Sequence, residues 1–292
     1  MRITEGVMSQ NFLNDFDKIQ NTLAKDQTQV ATNTRIQTLS DDVNGTLKVV
    51  DLKSQISKLK TYLKNADNIS SYMTSTQNSL DNIITELQNI KTTASSAENV
   101  INSENYTSIA QTIKDNLSSI VQSMNAKQNG MYLFGGTNNK GDVVTLVNNL
   151  AVPTAEDVSG EMKAQVSQNV NITMNIPGSK IINTGVLTSI NNLITTLEAG
   201  NPPTDAELTA LDKAYSSVVD IQSLQGTTQN RVEDITNILN NQSTNYDTLL
   251  TNIQSVDTAK LATDITSQQY LLQIVEKLIA NTSSKSIFDY LT

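Results

Sequence analysis

Two short stretches of this sequence have residue types and spacings that could support chemistry at a site. The first runs from Gly136 to Gly141, which has the glycine spacing of a phosphate-binding loop. Asp142 stands where such a loop has its lysine, and a carboxylate there would repel a phosphate. We therefore expect these glycines to serve backbone turns, and we expect no nucleotide or other cofactor.

The second stretch is Ser40–Asp41–Asp42, where two adjacent carboxylates could hold a hard cation or transfer a proton. A cation site needs more oxygen ligands than these residues supply. Ser and Asp are also preferred N-cap residues, and negative charge is favourable at a helix N-terminus. We therefore predict that Ser40 or Asp41 caps a helix beginning near Val43. Asp257 is interpreted as part of a solvated helix face.

The composition argues against most catalytic chemistry. The 292-residue chain contains no His and no Cys, so it has no imidazole base, no thiolate nucleophile and no Cys/His zinc site. Its net charge of −9 disfavours nucleic acid and anionic membranes as partners. No segment approaches the roughly 20 apolar residues of a membrane-spanning helix. We expect a structural protein rather than an enzyme, without catalytic or metal-binding residues.

The elements around these stretches follow a helical hydrophobic period. Between residues 45 and 98 apolar side chains recur at alternating steps of four and three, with one short step after Ala66. A second stripe runs from Tyr106 to Met124, and we expect its helix to end at Gly130 because glycine favours the left-handed conformation of a helix end. Both patterns predict long helices.

The period changes to two between Tyr132 and about Ile182, which predicts a small β region. One alternating run turns at Asn148–Asn149, and another ends at Pro177–Gly178, where we expect a turn. Tyr132 and Phe134, two positions apart, are expected to place both rings on one face of a strand.

Helical character returns at Val186 and continues in a third long seam from Leu208 to Val256. Thr204 and Glu207 precede that seam with the spacing of a capping box, in which each side chain accepts a hydrogen bond from the other's backbone amide.

Both ends of the chain carry an amphipathic stripe that we expect to mediate self-assembly. Pairing the two stripes would leave one apolar flank of the helix pair uncovered, so the pair needs neighbouring molecules. The stripe residues are Ile3, Met8, Phe12, Ile19, Leu23, Val30, Leu261, Ile265, Leu272, Val275 and Ile279.

Together these patterns predict a mainly α fold. We expect an elongated antiparallel bundle of long helices with a small β region in the middle of the chain and amphipathic terminal helices. Three domains are expected. Residues 1–42 and 257–292 would form a terminal coiled-coil domain, 43–131 and 186–256 a long-helix domain, and 132–185 the β region.

Several motifs resemble those of the bacterial flagellin-like family. MRIT at 1–4, TNTRIQTLSDD at 32–42 and residues 240–266 are similar to the family's terminal segments. YLFGG at 132–136 and SIFDYL at 286–291 resemble the family's type 3 hook-associated branch. The signature residues are Arg35, Ser40, Asp41, Asp42, Tyr132, Phe134, Gly135, Gly136, Asp257 and Ala259.

The resemblance implies a secreted structural protein at the junction between flagellar hook and filament, exported by the flagellar type III apparatus, with its terminal helices in an inner tube. It implies four partners: copies of itself in a ring, another hook-associated protein on the hook side, flagellin on the filament side, and a cytoplasmic export chaperone on the C-terminal segment. A flagellin that forms the filament and a secreted coiled-coil adhesin are the alternatives.

Overall fold

The computed structural model describes residues 2–97, 103–138 and 140–288, with the side chains of 2–6, 9, 103–104 and 281–288 left out. Helices account for most of the described residues. They are α1 (Arg2–Thr32), α2 (Val43–Ala97), α3 (Ser103–Met124), α4 (Gly178–Ile182), α5 (Val186–Glu198), α6 (Asp205–Gln254) and α7 (Thr258–Phe288).

The chain divides into two compact units. The terminal unit comprises Met1–Lys58 and Ser243–Thr292, and the central unit comprises Leu59–Gln242. The expected division into three domains stays a prediction.

The predicted helical seams form the apolar core of the central unit. Lys91 Nζ lies 2.8 Å from Asp212 Oδ1, and Gln222 donates to Asp81, so α2 and α6 run antiparallel here. The buried side chains recur every three or four residues, as one face of a helix requires. They include Leu80, Leu87, Ile113, Leu117, Ile190, Leu197 and Val218. The mainly α fold class with long helices is confirmed.

Three antiparallel hairpins form the small β region. Their strands are β1 (Lys127–Gln128) with β2 (Met131–Tyr132), β3 (Val144–Val147) with β4 (Leu150–Pro153), and β5 (Lys163–Ser167) with β6 (Val170–Thr173). The predicted turn at Asn148–Asn149 is confirmed, with φ values of 53° and 61°. Two-residue hairpin loops favour positive φ at both positions, which Asn tolerates better than most residues.

The expected end of the second helix at Gly130 was wrong, because α3 ends at Met124. The side chain of Asn125 binds β3 instead of continuing the helix: its Oδ1 accepts from the Val143 amide at 2.8 Å, and its Nδ2 donates to Val144 O at 2.6 Å. Gly130 is the second residue of the β1–β2 hairpin turn, with φ 81°.

Pro177–Gly178 does not form the expected turn but begins α4, with Pro177 in the N-cap position. The Gly178 amide donates to Phe134 O at 2.8 Å. A Cβ at position 178 would lie 2.6 Å from that oxygen, so the close approach requires glycine.

The capping box before α6 is confirmed. The Thr204 amide donates to Glu207 Oε2 at 2.8 Å, and the Glu207 amide donates to Thr204 Oγ1 at 3.3 Å.

Candidate self-assembly site

Arg35 fixes the segment between α1 and α2 to the end of α6 in the terminal unit. α1 ends where Asn33 takes a left-handed conformation, with φ 49°. The Arg35 amide donates to Gln254 O at 2.7 Å, and Arg35 Nη2 lies 3.3 Å from Ile253 O. Carbonyl groups in the last turn of a helix lack partners within the helix. Arg35 therefore binds two of these open acceptors at the C-terminal end of α6.

Asp42 is the N-cap of α2. Its Oδ1 accepts from the Gly45 amide at 2.8 Å, and its Oδ2 accepts from Arg35 Nη2 at 3.0 Å. The predicted start of the helix is confirmed, but the prediction that Ser40 or Asp41 caps it was wrong. Only Asp42 directly precedes the first helical residue, so only its side chain reaches the amide three positions on.

Asp41 closes the turn before α2. Its Oδ2 accepts from the amides of Gln37 at 2.9 Å and Thr38 at 2.8 Å, and its Oδ1 accepts from Lys25 Nζ at 2.6 Å. Ser40 Oγ lies 2.9 Å from Thr38 Oγ1 in the same turn. The Lys25 hydrogen bond, followed by the Thr38 and Gln37 amides, holds the pKa of Asp41 well below its ordinary value.

The adjacent carboxylates thus have separate structural partners. The Gly45 amide, and next the Arg35 guanidinium, lower the pKa of Asp42 as well. Both groups stay ionised at neutral pH: Asp41 accepts from two amides and Lys25, and Asp42 accepts from one amide and Arg35. This arrangement builds a turn and a helix cap rather than a proton-transfer pair.

Asp257 is the N-cap of α7. Its Oδ1 accepts from the amides of Ala259 at 3.1 Å and Lys260 at 3.0 Å. Asp257 is exposed to solvent, as interpreted, but it precedes the first turn and caps the helix rather than lying on a helix face. The negative charge there also interacts favourably with the positive N-terminal end of the α7 helix dipole.

α1 packs against α7, the two helices that carry the predicted stripes. Gln268 Nε2 donates to Asp26 Oδ2 at 2.9 Å across this pair. Leu261 is buried, whereas Met8 and Val30 are 54% and 51% exposed. The side chain of Ile3 lies outside the described residues. The remaining stripe residues are half-buried: Phe12, Ile19, Leu23, Ile265, Leu272, Val275 and Ile279.

The helix pair leaves several large apolar side chains in solvent, including the stripe residues Met8 and Val30, and we call this set the open apolar surface. These side chains are between 37% and 65% exposed. Covering these side chains with a partner would remove apolar area from water, which favours association. The set consists of Val7, Met8, Leu13, Val30, Tyr270, Leu271 and Ile274.

The YLFGG motif is an interior structural element of the central unit. Phe134 is fully buried, and Tyr72 Oη donates to Leu133 O at 2.8 Å. Burial raises the pKa of Tyr72 to about 12. Tyr132 Oη donates to Asp142 Oδ1 at 2.6 Å, and Lys127 Nζ lies 4.1 Å from the centre of its ring.

The expectation that Tyr132 and Phe134 share one face of a strand was wrong, because β2 ends at Tyr132 and the chain turns there. Gly136 has φ 67°, and a Cβ on it would lie 2.9 Å from Gly160 N. A Cβ on Gly135 would lie 2.8 Å from Asn138 O. Both glycines therefore allow close backbone approaches at this turn.

Within the described part of the chain, no group of three or more His, Cys, Asp or Glu could hold a metal ion. None of the described helices combines the length and apolar character needed to cross a membrane.

Family models match both ends of the chain. The model of the bacterial flagellin N-terminal helical region matches residues 3–139, and that of the C-terminal helical region matches residues 208–291. The two matches together include most of the sequence, in the order the motifs predicted. This chain belongs to the flagellin-like family.

A curated relative of this flagellin-like chain is flagellin of Bacillus subtilis (strain 168). The two are 23% identical over 303 aligned residues, covering 98% of this chain and 97% of the relative. The similarity therefore extends over the full length of both proteins.

Solved structures share the fold. A protein of Vibrio parahaemolyticus assigned as a flagellar hook-associated protein matches with a TM-score of 0.67 at 21% identity, over 74% of this chain and 100% of its own. Flagellar hook associated protein-3 of Legionella pneumophila matches with a TM-score of 0.61 at 12% identity, over 69% and 98%. FlgL of Bacillus cereus matches with a TM-score of 0.59 at 17% identity, over 69% and 99%.

Sequence reasoning missed structural residues in both units. Lys25 lies on the polar side of α1, and nothing local indicates its bond to Asp41. The buried Tyr72 was absent from the predicted seam, although a lone aromatic beside a seam position is a signal for burial. A Cβ added to Gly45 would lie 2.5 Å from Asp42 Oδ2. A glycine inside a helical pattern is a signal for such a packing role.

Proposed function

We propose that this flagellin-like chain is a structural junction protein of the bacterial flagellum, which connects hook and filament by self-assembly through its terminal helices. The observation that carries the proposal is the open apolar surface of the α1–α7 pair. The purely apolar side chains of Leu13 and Leu271 are 46% and 47% exposed on this surface. Full burial of an exposed leucine contributes about 1.5–3 kcal/mol, so covering the exposed half of each side chain between neighbouring copies contributes about half of that.

The Arg35 junction supports this role. It ties the segment that follows α1 to the end of α6, only a few residues before Asp257 caps α7. Both terminal helices therefore leave the same hydrogen-bonded region of the terminal unit. In this proposal, α1 and α7 of successive copies form the inner tube of a ring, with Met8, Val30 and the rest of the open apolar surface buried between copies.

The proposal includes the route and the partners that the family resemblance implies. The protein is secreted through the flagellar type III apparatus after an export chaperone has bound its C-terminal segment in the cytoplasm. In the ring it contacts copies of itself, another hook-associated protein on the hook side and flagellin on the filament side. The signature residues at both ends then act as structural residues, and the protein has no catalytic site.

Deletion variants test self-assembly through the ends. Removing residues 1–30 or residues 262–292 should abolish incorporation into the flagellum and motility. Tyr72, Phe134 and the rest of the central core lie outside both deletions, so the central unit should keep its cooperative thermal unfolding by circular dichroism. Normal motility in either deletion strain would refute the mechanism.

A flagellin that builds the filament itself is the second candidate, favoured by the full-length similarity to Bacillus subtilis flagellin. Immunogold labelling separates the two candidates. A junction protein gives one labelled band at the base of the filament, whereas a flagellin is labelled along the whole filament.

A further inference from the structure

The apolar stripes of α1 and α7 each contain one polar residue. Along both helices the stripe positions follow steps of four and three, as the core positions of a coiled coil do. Between residues 12 and 30 the polar residue at these positions is Asp26, and between 261 and 279 it is Gln268. The apolar positions are Phe12, Phe16, Ile19, Leu23 and Val30 in α1, and Leu261, Ile265, Leu272, Val275 and Ile279 in α7.

These two polar residues bind each other across the α1–α7 pair. Gln268 Nε2 donates to Asp26 Oδ2 at 2.9 Å, and both side chains are half-buried. The helices run antiparallel, because Arg35, just after α1, binds the carbonyl of Gln254, just before α7. A step toward the start of α1 therefore corresponds to a step toward the end of α7. This relation places Leu23 opposite Leu272.

The polar pair costs stability compared with apolar side chains at the same two positions. Gln268 Oε1 is buried, and none of the described residues donates to it. Such an acceptor loses its hydrogen bonds to water without a replacement, and the Asp26 carboxylate is partly removed from water as well. Two leucines there would bury more apolar area without either loss. Stability alone therefore does not account for these residues.

Apolar stripes alone do not fix the register of this helix pair. Because both stripes repeat every seven residues, sliding one helix by seven residues again places apolar positions opposite each other. The same slide places Asp26 opposite Leu261 or Val275, where the carboxylate has no donor. A carboxylate without a partner in an apolar seam is costly, so the polar pair favours one register over its neighbours.

We propose that the Asp26–Gln268 hydrogen bond sets the register of the α1–α7 pair. The register determines the shape of the open apolar surface, because that surface includes residues of both helices. A slide of seven residues moves Leu13 by about 10 Å relative to Leu271, at 1.5 Å per residue. A slipped pair thus presents a different surface to a neighbouring copy. This consequence for assembly rests on the proposed function, whereas the register is a property of a single chain.

Disulfide formation within one chain measures the register, because the chain has no Cys of its own. Leu23→Cys/Leu272→Cys reports the native register. Leu23→Cys combined with Ile265→Cys or with Ile279→Cys reports a slide of seven residues in either direction. The full-length variants are oxidised as dilute monomers, and intramolecular links are counted by mass spectrometry. The native pair should link several-fold more than either slipped pair.

Removing the polar pair should relax this preference. In the background of Asp26→Leu/Gln268→Leu, the slipped pairs should link several-fold more than before, while the Tm stays equal or rises. A hydrogen bond that only stabilised the helices would instead lower the Tm and leave the ratio of links unchanged. Asp26→Asn keeps an acceptor for Gln268 and should retain the native register. Gln27→Leu/Gln269→Leu adds the same leucines at exposed neighbouring positions and serves as the control.

An unchanged ratio of native to slipped links in Asp26→Leu/Gln268→Leu would overturn the proposal. A chain with the polar pair intact that forms all of the links equally, or none of them, would also overturn it. Immunoblots of isolated hook preparations separate this result from the proposed function. Slipped links with undiminished incorporation would leave the register assignment standing and contradict assembly through the open apolar surface.

Discussion

Arg35 Nη2 and Asp42 Oδ2 lie 3.0 Å apart and join two helix ends through one ion pair. Asp42 caps the N-terminus of α2 with its other oxygen, and Arg35 binds the carbonyl of Ile253 in the last turn of α6. The guanidinium thus serves a helix C-terminus, where positive charge is favourable, and the carboxylate serves a helix N-terminus, where negative charge is favourable. The pair organises the junction from which both terminal helices depart.

Arg35→Ala should therefore loosen the terminal unit. The pair is exposed to solvent, so we expect a small loss in the free energy of unfolding. Amide hydrogen exchange should accelerate between residues 33 and 45 and in the last turn of α6. Arg231→Ala removes an exposed arginine from α6 and serves as the control. Unchanged exchange in Arg35→Ala would show that the backbone bond to Gln254 suffices.

The turn before α2 should weaken in acid. Asp41 and Asp42 both have a pKa lowered below the ordinary value of about 3.9. The folded state therefore binds fewer protons than the unfolded state as the pH falls, and the stability these groups contribute at neutral pH is lost progressively below about pH 4. Between pH 4 and pH 2, the free energy of unfolding of Asp41→Asn should fall less steeply with decreasing pH than that of wild type. Urea titration at each pH measures this. Parallel curves for the two proteins would contradict this account.

The long helices and the β3–β4 turn were predictable because their signals are local. A seam of buried side chains at steps of three and four is visible in the sequence, and Asn148–Asn149 between two alternating runs indicates a hairpin. The end of α3 was not predictable in this way, because Asn125 leaves the helix to bind backbone groups of Val143 and Val144. A side-chain bond to a strand that comes later in the chain leaves no periodic signal.

The sequence indicated which segments form the candidate site but not which side chains make its contacts. Among the stripe residues Phe12 is half-buried and Leu261 is buried, whereas Met8 and Val30 are exposed. Among Ser40, Asp41 and Asp42, N-cap preference alone does not select the cap. The choice depends on where the helix begins: Asp42 directly precedes Val43 and reaches the Gly45 amide, while Asp41 binds Lys25 and the amides of the turn.

Tyr72→Phe should destabilise the central unit because it removes the donor of a buried hydrogen bond. The variant leaves the Leu133 carbonyl without the donor that the buried tyrosine supplies at 2.8 Å. We expect a loss of about 1–3 kcal/mol in the free energy of unfolding, measured by urea denaturation. Tyr270→Phe changes a side chain that is 65% exposed and should stay within about 0.5 kcal/mol of wild type. Equal effects of the two substitutions would contradict a structural role for the Tyr72 hydroxyl.

Two glycine-to-alanine substitutions should change the free energy of unfolding in opposite directions. Gly136 has φ 67°, and an added Cβ would lie 2.9 Å from Gly160 N, so Gly136→Ala should cost more than about 1 kcal/mol. Gly226 lies inside α6 with open space around its Cβ position. Gly226→Ala should stabilise the protein by about 0.5–1 kcal/mol. Thermal unfolding of both variants checks the pair, and stabilisation by Gly136→Ala would refute the close packing proposed for the YLFGG segment.

The open apolar surface gives the most direct test of assembly through the terminal helices. The measurement is the amount of this protein in isolated hook preparations and in the medium, by immunoblot, in a strain that produces only the variant. Leu13→Asp/Ile274→Asp places charges on that surface, and Asn14→Asp/Gln273→Asp adds the same charges at exposed polar positions of the same helices. The account predicts that the first double variant is exported but lost to the medium, while the second is incorporated like wild type. Equal incorporation of both would contradict it.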